Sequence, residues 1–265
     1  MVVAVEHIRR MRGGAQSHLM RCDDGGYYVV KFQNNPQHLR ILANEMLGTR
    51  LAGCMGLPVP RVDVVEVRRE LIELTAELVI QLGAGRTPCR PGRQFGSRYP
   101  GDPAELPVFD FLPEEQLSQV ENLADFAGML VFDKWTCNTN GRQAIFFLEP
   151  GRSRYQAVPI DHGFCFNAGE WNFPDAPLRG LYNRHSVYRQ VTGMDAFEPW
   201  LGRVERFSRA QLGEIAETIP PEWYNDEYDK LEELIQRLER RRHGVRELIV
   251  MARDSGRQPF PNWKA

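Results

Sequence analysis

The sequence predicts a two-lobed α+β protein, with a small β-rich N-terminal lobe that holds one helix and a larger, mainly helical C-terminal lobe. Strand-like runs dominate the first 85 residues or so, and glycine and proline then interrupt residues 83–107. From Tyr228 onward, apolar residues at helical spacing predict one long C-terminal helix. We therefore expect an N-terminal lobe over residues 1–107 and a C-terminal lobe over residues 108–265.

The composition is that of an ordinary globular chain and argues against several classes of protein. The 33 Lys and Arg residues nearly balance the 35 Asp and Glu residues, giving a net charge of −2, so we expect no nucleic-acid partner. The five cysteines are widely spaced, which disfavours a disulfide framework and a structural zinc site. No apolar run is long enough for a membrane span. These features predict a reduced, cytoplasmic protein.

The first predicted strands form a hairpin. Asp23-Asp24-Gly25-Gly26 is a turn sequence, and residues 27–32 after it are rich in aromatic and β-branched side chains. Lys31 is a lone cation inside this apolar strand. Gly13 and Gly14 precede the hairpin, where their backbone amides could approach phosphate groups.

The segment after the hairpin predicts a helix. Asn34-Asn35-Pro36 supplies a cap and a proline suited to the first turn. Apolar residues then repeat every three or four positions over residues 39–51, and the pattern stops at Gly53. Glu45 falls near the edge of the apolar stripe, so we expect it to lie close to the protein interior.

The second half of the N-terminal lobe is less regular. Residues 62–67 and 71–82 predict two further strands. Residues 83–107 show no periodicity, and such a segment inside a compact chain is typical of a linker or a functional loop. We therefore predict that this segment connects the two lobes.

The C-terminal lobe begins with a predicted long helix. Pro113 opens it, and its apolar stripe covers residues 117–135. A polar sequence follows at residues 138–143, and residues 144–148 and 155–160 then predict a β-hairpin. A polar loop is therefore expected between a helix end and a hairpin.

The order of these segments points to phosphoryl transfer. Asn138 in the polar loop and Asp161 just after the hairpin offer the oxygen ligands that Mg²⁺ prefers when substrate phosphates complete its shell. Lys31 would supply a cation for the phosphates, and Glu45 a carboxylate to hold that cation. A two-lobed phosphoryl-transfer enzyme has the same order of features along its chain: a glycine loop, a lysine in a strand, a glutamate in a helix, a loop rich in asparagine and an Asp-x-Gly sequence.

Four segments also resemble one known family, the HipA-like kinases, which are related to phosphatidylinositol kinases and more distantly to protein kinases. They are Tyr28-Val29-Val30-Lys31-Phe32, the helix with Asn44-Glu45 followed by Gly56-Leu57-Pro58-Val59-Pro60, Phe132-Asp133-Lys134-Trp135 with Asn138-Thr139-Asn140, and Ile160-Asp161-His162-Gly163. The resemblance implies a protein kinase-like fold that uses ATP and Mg²⁺. It implies that Lys31 contacts the ATP phosphates, that Glu45 pairs with it, and that Asp161 binds Mg²⁺.

The loop after the first long C-terminal helix departs from the family pattern, which reads Asn-x-Asp followed by Arg or His, with Asn five residues after the Asp. Here Asn140 stands where the catalytic aspartate is expected, and Ile145 stands five residues later, where the family pattern has an asparagine. An amide is not a general base, so this change predicts a slower reaction. In a second register, Asp133 and Asn138 reproduce the Asp-x-x-x-x-Asn spacing of kinase catalytic loops. Either Asn140 or Asp133 is therefore expected to face the acceptor.

Three functions remain open at this stage. The first is an ATP- and Mg²⁺-dependent kinase that transfers the γ-phosphoryl group to a hydroxyl of a protein or small molecule. The second, suggested by Asn140, is a nucleotide-binding pseudokinase that acts as a regulatory module. The third is a kinase-fold enzyme that transfers AMP. The sequence does not identify the acceptor.

Overall fold

The computed structural model describes residues 1–264. The first 98 residues contain seven strands and two helices. In chain order these are β1 (Val2–Arg10), β2 (His18–Cys22), β3 (Tyr27–Lys31), α1 (Ile41–Cys54), β4 (Val62–Val67), α2 (Arg69–Glu73), β5 (Val79–Leu82), β6 (Gly85–Pro88) and β7 (Gly92–Arg98).

Five of these strands form a closed barrel in the order β1-β2-β3-β7-β4, in which β4 pairs with β1 in parallel. The predicted hairpin is β2-β3, and its register places Met20 opposite Tyr28. Alternate side chains of the strands fill the barrel, including Val30 and Val65, which are fully buried. The barrel gives β3, and with it Lys31, a fixed position.

The prediction of an irregular linker over residues 83–107 is wrong for much of that segment. Strand β7 lies between β3 and β4 in the barrel and pairs with both. The glycines of β7 lower its strand propensity, so the sequence pattern did not predict a strand here. One of these glycines is required by packing. A Cβ at Gly96 would lie 2.3 Å from Cγ2 of Val65 on the neighbouring strand β4, so a larger residue does not fit.

Two further N-terminal predictions need correction. The continuous strand expected over residues 71–82 is instead helix α2 followed by β5, which forms a separate hairpin with β6. Helix α1 begins at Ile41, about one turn later than the sequence indicates, because Asn35 instead caps a local turn by accepting a hydrogen bond from the Gln37 amide. Leu39, expected on the buried stripe, is half exposed.

The rest of the chain is mainly helical around one small sheet. Its elements are β8 (Val108–Phe109), α3 (Asp125–Thr136), β9 (Gln143–Phe147), β10 (Gln156–Ile160), α4 (Trp200–Glu205), α5 (Arg209–Ala216), α6 (Tyr228–Arg241) and α7 (Val245–Arg253). The β9-β10 hairpin is present at the predicted place. The helix predicted from Pro113 is instead a 3₁₀ turn over Glu114–Gln119 followed by α3, and the single C-terminal helix is divided at Gly244 into α6 and α7.

The largest hydrophobic core joins the two halves of the fold. Helix α1 is buried on nearly all sides and contributes to the same cluster as Trp135 of α3 and Trp223. Phe95 of β7 belongs to this cluster too, packing edge-on against Trp223. The mixed α+β class is therefore confirmed. The lobe limits of residues 1–107 and 108–265 stay a prediction.

Two predictions from composition concern the whole chain. The five cysteines are free thiols. Within residues 1–264, every helix is too short or too polar to cross a membrane.

Candidate active site

Three elements bring three charged side chains together between the barrel and the helical part. Lys31, at the end of β3, and Glu45, in α1, form a buried ion pair. The Lys31 ammonium also lies 2.7 Å from Oδ1 of Asp161, which follows β10. The structure thus brings together three residues that the sequence analysis selected, Lys31 and Glu45 as a pair and Asp161 as a metal ligand.

The charges of these three groups are strongly coupled. Burial would lower the pKa of Lys31, but the carboxylates of Glu45 and Asp161 outweigh it and raise that pKa above its ordinary value. Burial also opposes ionisation of Asp161, yet Lys31 lowers the pKa of this carboxyl to about 2. At neutral pH, Lys31 is therefore a cation and Asp161 an anion.

Glu45 has a second function in this cluster. Its Oε2 accepts a hydrogen bond from the His162 amide at 3.0 Å, and its Oε1 accepts one from the Gly163 amide at 2.9 Å. Asp161 itself has a left-handed backbone with φ of 62°. Glu45 therefore fixes the turn that aims Asp161 at Lys31, as well as holding Lys31 directly.

Asn44, next to Glu45 in α1, anchors the continuation of the same turn. Its Nδ2 donates to the backbone oxygens of Gly163, Cys165 and Ala168 at 2.8 to 3.0 Å. Its Oδ1 accepts from Trp171 Nε1 at 2.7 Å, so the fully buried amide is satisfied at both ends. The sequence analysis assigned Asn44 no function of its own. An asparagine among the apolar residues of a predicted helix was the available signal, because a buried side-chain amide needs hydrogen-bond partners.

Asp133, the second candidate for the catalytic residue, is fully buried and bonded on every side. Arg142 forms a buried ion pair with it, in which Arg142 Nε donates to Asp133 Oδ2 at 2.8 Å. Asn138 Nδ2 donates to Asp133 Oδ1 at 3.0 Å. The Arg142 guanidinium also donates to the Ile160 carbonyl at 2.8 Å. Asp133 therefore connects the end of α3 to the strand that carries Asp161.

The loop between α3 and β9 presents Asn140 at the surface of a cavity. Asn138 is fully buried, and its Oδ1 accepts a hydrogen bond from the Asn140 amide at 3.1 Å. Asn140 is partly exposed and accepts from the Gly141 amide at 2.9 Å. Thr139, Asn140 and Gly141 line one side of an open cavity of about 360 Å³. Of the two candidates, Asn140 is thus the one that faces open space.

Gln143 is a site residue that the sequence argument missed. It lies at the start of β9, is exposed, and its Nε2 donates to Asp161 Oδ2 at 2.7 Å. Ile145, two residues later, instead packs in a small hydrophobic cluster with Leu106 and Val158. The sequence analysis placed Gln143 in the polar loop, but in the structure it begins β9 opposite Ile160, and Asp161 follows at once.

Gly13 and Gly14 lie in the loop between β1 and β2. The sequence placed them before the first strand because β1, which is largely exposed and rich in charge, was not predicted. Gly13 has φ of 111°, a conformation that favours glycine. The loop is tied to the segment before α1, since Asn35 Nδ2 donates to the Ala15 carbonyl at 2.8 Å. The predicted contact of these glycines with phosphate stays a prediction.

The predicted Mg²⁺ ligands are Asp161 and Asn138. Asp161 contacts Lys31 and Gln143, whereas the amide of Asn138 is bonded to Asp133 and to the backbone of Asn140. Their assignment as metal ligands stays a prediction, which rests on the preference of Mg²⁺ for oxygen ligands. No group of three or more His, Cys, Asp and Glu within residues 1–264 is arranged to hold a metal.

Solved structures identify the class of fold. The chain resembles the Helicobacter pylori proinflammatory kinase CtkA with a TM-score of 0.60 and 15% identity, covering 93% of this chain and 95% of that one. It resembles the Golgi casein kinase with a TM-score of 0.55 and 13% identity, covering 97% of this chain and 74% of that one. The fold is therefore protein kinase-like, as the resemblance implied.

The family follows from the sequence. The model of the HipA-like kinase family matches residues 4–247, so the chain belongs to this family of kinases. HipA of Shewanella oneidensis MR-1, solved in a toxin–antitoxin complex with HipB and operator DNA, is also similar, with a TM-score of 0.53 and 13% identity, covering 93% of this chain and 68% of that one. No curated protein sequence matches the chain.

Proposed function

We propose that this protein binds ATP with Mg²⁺ between the barrel and the helical part and transfers the γ-phosphoryl group to a hydroxyl of an acceptor. The observation that carries the proposal is the contact of Lys31 with both Glu45 and Asp161. These residues come from three separate elements, and a buried lysine between two carboxylates costs desolvation that packing alone does not require. Membership of a kinase family supports phosphoryl transfer as the reaction.

Each residue has a defined task in this proposal. Lys31 binds the phosphates, and Glu45 keeps Lys31 and the turn at Asp161 in place. Asp161, with Gln143 or Asn138, would hold Mg²⁺, which neutralises charge on the phosphates. A structure of the similar Golgi casein kinase with Mn and ADP bound supports the use of a nucleotide and a divalent metal.

The acceptor hydroxyl would lie beside Asn140. The oxygen of the acceptor hydroxyl forms a bond to the γ-phosphorus as the bond from that phosphorus to ADP breaks. The proton of the hydroxyl passes to solvent or to the transferred phosphate. Asn140 can accept a hydrogen bond from the hydroxyl but cannot take its proton. Because phosphoryl transfer depends mainly on positioning and charge neutralisation, the reaction remains possible without a base, at a rate reduced by about 10²–10⁴.

Asn140 and Ile145 favour a second candidate function. A chain that keeps the nucleotide cluster but has no side chain able to act as a base at Asn140 can serve as a nucleotide-binding pseudokinase. This alternative makes the same prediction for ATP binding and the opposite prediction for group transfer.

One labelling experiment tests these functions together. Purified protein is incubated with Mg²⁺, candidate acceptors and ATP labelled at the α or the γ phosphate, beside an Asp161→Ala variant. Transfer of the γ label by the wild type alone supports the kinase, whereas transfer of the α label identifies AMP transfer. Thermal stabilisation by ATP without transfer of either label identifies the pseudokinase. Absence of both binding and transfer contradicts the proposal.

A further inference from the structure

The cavity beside Asn140 has a distinctive set of charges. Its walls come from the loop after α3, from residues 176–185 and from Arg257, and they contain no aspartate or glutamate. Two of the lining residues, Arg179 and Arg257, are arginines, and within residues 1–264 neither forms an ion pair with a carboxylate. Arg179 donates instead to the Pro174 carbonyl and lies 3.8 Å from Cys137 Sγ. A chain with a net charge of −2 therefore places two cations without a carboxylate partner among its described residues on the cavity that Asn140 lines. We name this cavity the acceptor pocket.

Buried groups hold the walls of the acceptor pocket. Lys134 in α3 donates from Nζ to the Pro177 carbonyl at 2.7 Å and to the Ala176 carbonyl at 3.3 Å. Gly180 packs against Asp133 so closely that a Cβ there would lie 2.3 Å from Asp133 Cβ. The same buried residues that position the Asn140 loop therefore also position the opposite wall.

The polar groups of the pocket complement the two arginines. Asn183 is exposed and lies across from the loop, since a Cβ at Gly141 would be 3.3 Å from Asn183 Oδ1. Burial and the nearby charge of Arg257 lower the pKa of His185 below its ordinary value. His185 is thus a neutral hydrogen-bonding group at pH 7, and the positive charge of the pocket comes from the arginines.

The shape of the pocket favours a segment of chain over a small molecule. Enclosed sites bury most of the surface of a small ligand. Here the cavity of about 360 Å³ is open along one side, Arg257 is exposed, and the apolar side chain of Leu178 on the lining is 43% exposed. An open cleft with one sign of charge attracts and orients an extended segment of opposite charge.

We propose that the acceptor pocket receives an acidic segment of a protein, whose serine or threonine hydroxyl lies at Asn140 while neighbouring carboxylates contact Arg179 and Arg257. This inference rests on the proposed kinase function and adds the class of acceptor. An arginine side chain can bind a carboxylate through two hydrogen bonds, and no lining residue carries a negative charge that would repel it.

Peptide binding tests the inference without requiring turnover. The probes are two fluorescein-labelled peptides, one with serine flanked by four glutamates on each side and one with glutamines in their place. In fluorescence anisotropy we expect the wild type to bind the acidic peptide at least about tenfold more tightly, as two charge-assisted contacts imply. Equal affinity for the two peptides would overturn the proposal.

Matched variants locate the binding. Arg257→Gln, and the double variant Arg179→Gln with Arg257→Gln, should lose the preference for the acidic peptide. The control is Arg69→Gln with Arg86→Gln, which removes the same charge from exposed positions of α2 and β6 and should retain the preference. An equal loss in the control would show that binding follows net charge and would contradict the acceptor pocket. The single Arg257 variant answers the question even if loss of the Arg179 contact with the Pro174 carbonyl unfolds the double variant.

Two additional measurements separate the possible failures. Thermal shift with ATP and Mg²⁺ reports on the proposed function alone. Stabilisation by ATP without binding of the acidic peptide overturns only the inference about the acceptor, whereas peptide binding without any effect of ATP overturns the kinase proposal. Isocitrate, a small hydroxylated polyacid, is the third probe, and stabilisation by isocitrate without peptide binding would assign the pocket to a small molecule and contradict the protein segment.

Discussion

The candidate site has a proposed nucleotide side, formed by Lys31, Glu45 and Asp161, and a proposed acceptor side at Asn140, and the two sides differ in how many of the residues expected from the family pattern they contain. On the nucleotide side, Lys31, Glu45 and Asp161 form a complete set of charge partners. On the acceptor side, Asn140 replaces the expected base, and Ile145 is part of a hydrophobic cluster. The difference teaches that the proposed nucleotide binding and the proposed chemistry on the acceptor depend on separate sets of residues, so each can be tested by its own variants.

The largest effect is expected from Asp161. Asp161→Ala removes the carboxylate that contacts both Lys31 and Gln143, so stabilisation by ATP and Mg²⁺ should disappear and any phosphoryl transfer should fall by about 10²–10³-fold. Thermal shift and γ-label transfer measure the two consequences. Full retention of ATP stabilisation in this variant would separate Asp161 from the nucleotide.

We expect substitution of Asp133 to reduce the stability of the fold, because the residue is buried in an ion pair. Asp133→Ala leaves the buried Arg142 guanidinium without its partner, and the free energy of unfolding should fall by about 3–5 kcal/mol. Urea denaturation followed by circular dichroism measures this change. The double variant Asp133→Leu with Arg142→Met removes both charges and should recover part of the stability. A stable Asp133→Ala variant that lacks only transfer would instead support a direct role on the acceptor.

Asn140→Asp restores a carboxylate at the position where the family pattern has one. If Asn140 occupies the base position, γ-phosphoryl transfer should increase, by about tenfold or more, because a general base contributes at least this factor in most enzymes. Turnover with a saturating acceptor peptide measures the gain, and ATP stabilisation should be unchanged. Unchanged or lower turnover would show that the base position lies elsewhere.

Gln143→Ala tests the residue that the structure adds to the nucleotide side. Loss of the contact with Asp161 should raise the Mg²⁺ concentration needed for half-maximal ATP stabilisation by about tenfold, the usual effect of removing a group that orients a metal ligand. Ile145→Val, on the same strand, serves as the control and should leave this concentration unchanged. Equal Mg²⁺ dependence in wild type and Gln143→Ala would exclude a contribution from Gln143.

The smallest effect concerns a region outside the site. His18 is fully buried in the barrel and hydrogen-bonded to His7 at 3.0 Å, and burial lowers the pKa of His18 to about 4. The unfolded chain therefore binds a proton there below pH 6.5 that the folded chain refuses until about pH 4, and stability should fall as pH decreases across this range. Unfolding free energies from pH 4 to 7 should depend less steeply on pH in His18→Gln, and an identical slope would exclude His18.

The sequence analysis could select Lys31, Glu45 and Asp161, which the structure brings into contact, because the evidence for each is local. A cation in an apolar strand, a glutamate on a helix stripe and an Asp-x-Gly after a hairpin can each be read from neighbouring residues. The residues it missed depend on contacts between distant segments. Arg142, which the sequence analysis did not select, meets Asp133 only because the chain turns back between α3 and β9. Similarly, Gln143 enters the site only through its hydrogen bond to Asp161, which directly follows the partner strand β10.

Parts of the fold were missed for different physical reasons. Strand β7 carries Gly92 and Gly96, which weaken strand propensity, and its place between β3 and β4 depends on the close approach of Val65 to Gly96. Strand β1 is exposed over most of its length, so its charged residues concealed the alternating pattern. In the C-terminal helices, the break at Gly244 divides one continuous apolar stripe into α6 and α7.

Calorimetric titration of a non-hydrolysable ATP analogue with Mg²⁺ tests the central claim most directly, because it needs no acceptor. We predict one binding site in the wild type and in Asn140→Asp, and loss of binding in Asp161→Ala. Lack of binding by the wild type, or equal binding by the wild type and Asp161→Ala, would contradict the assignment of the Lys31, Glu45 and Asp161 cluster as the nucleotide site.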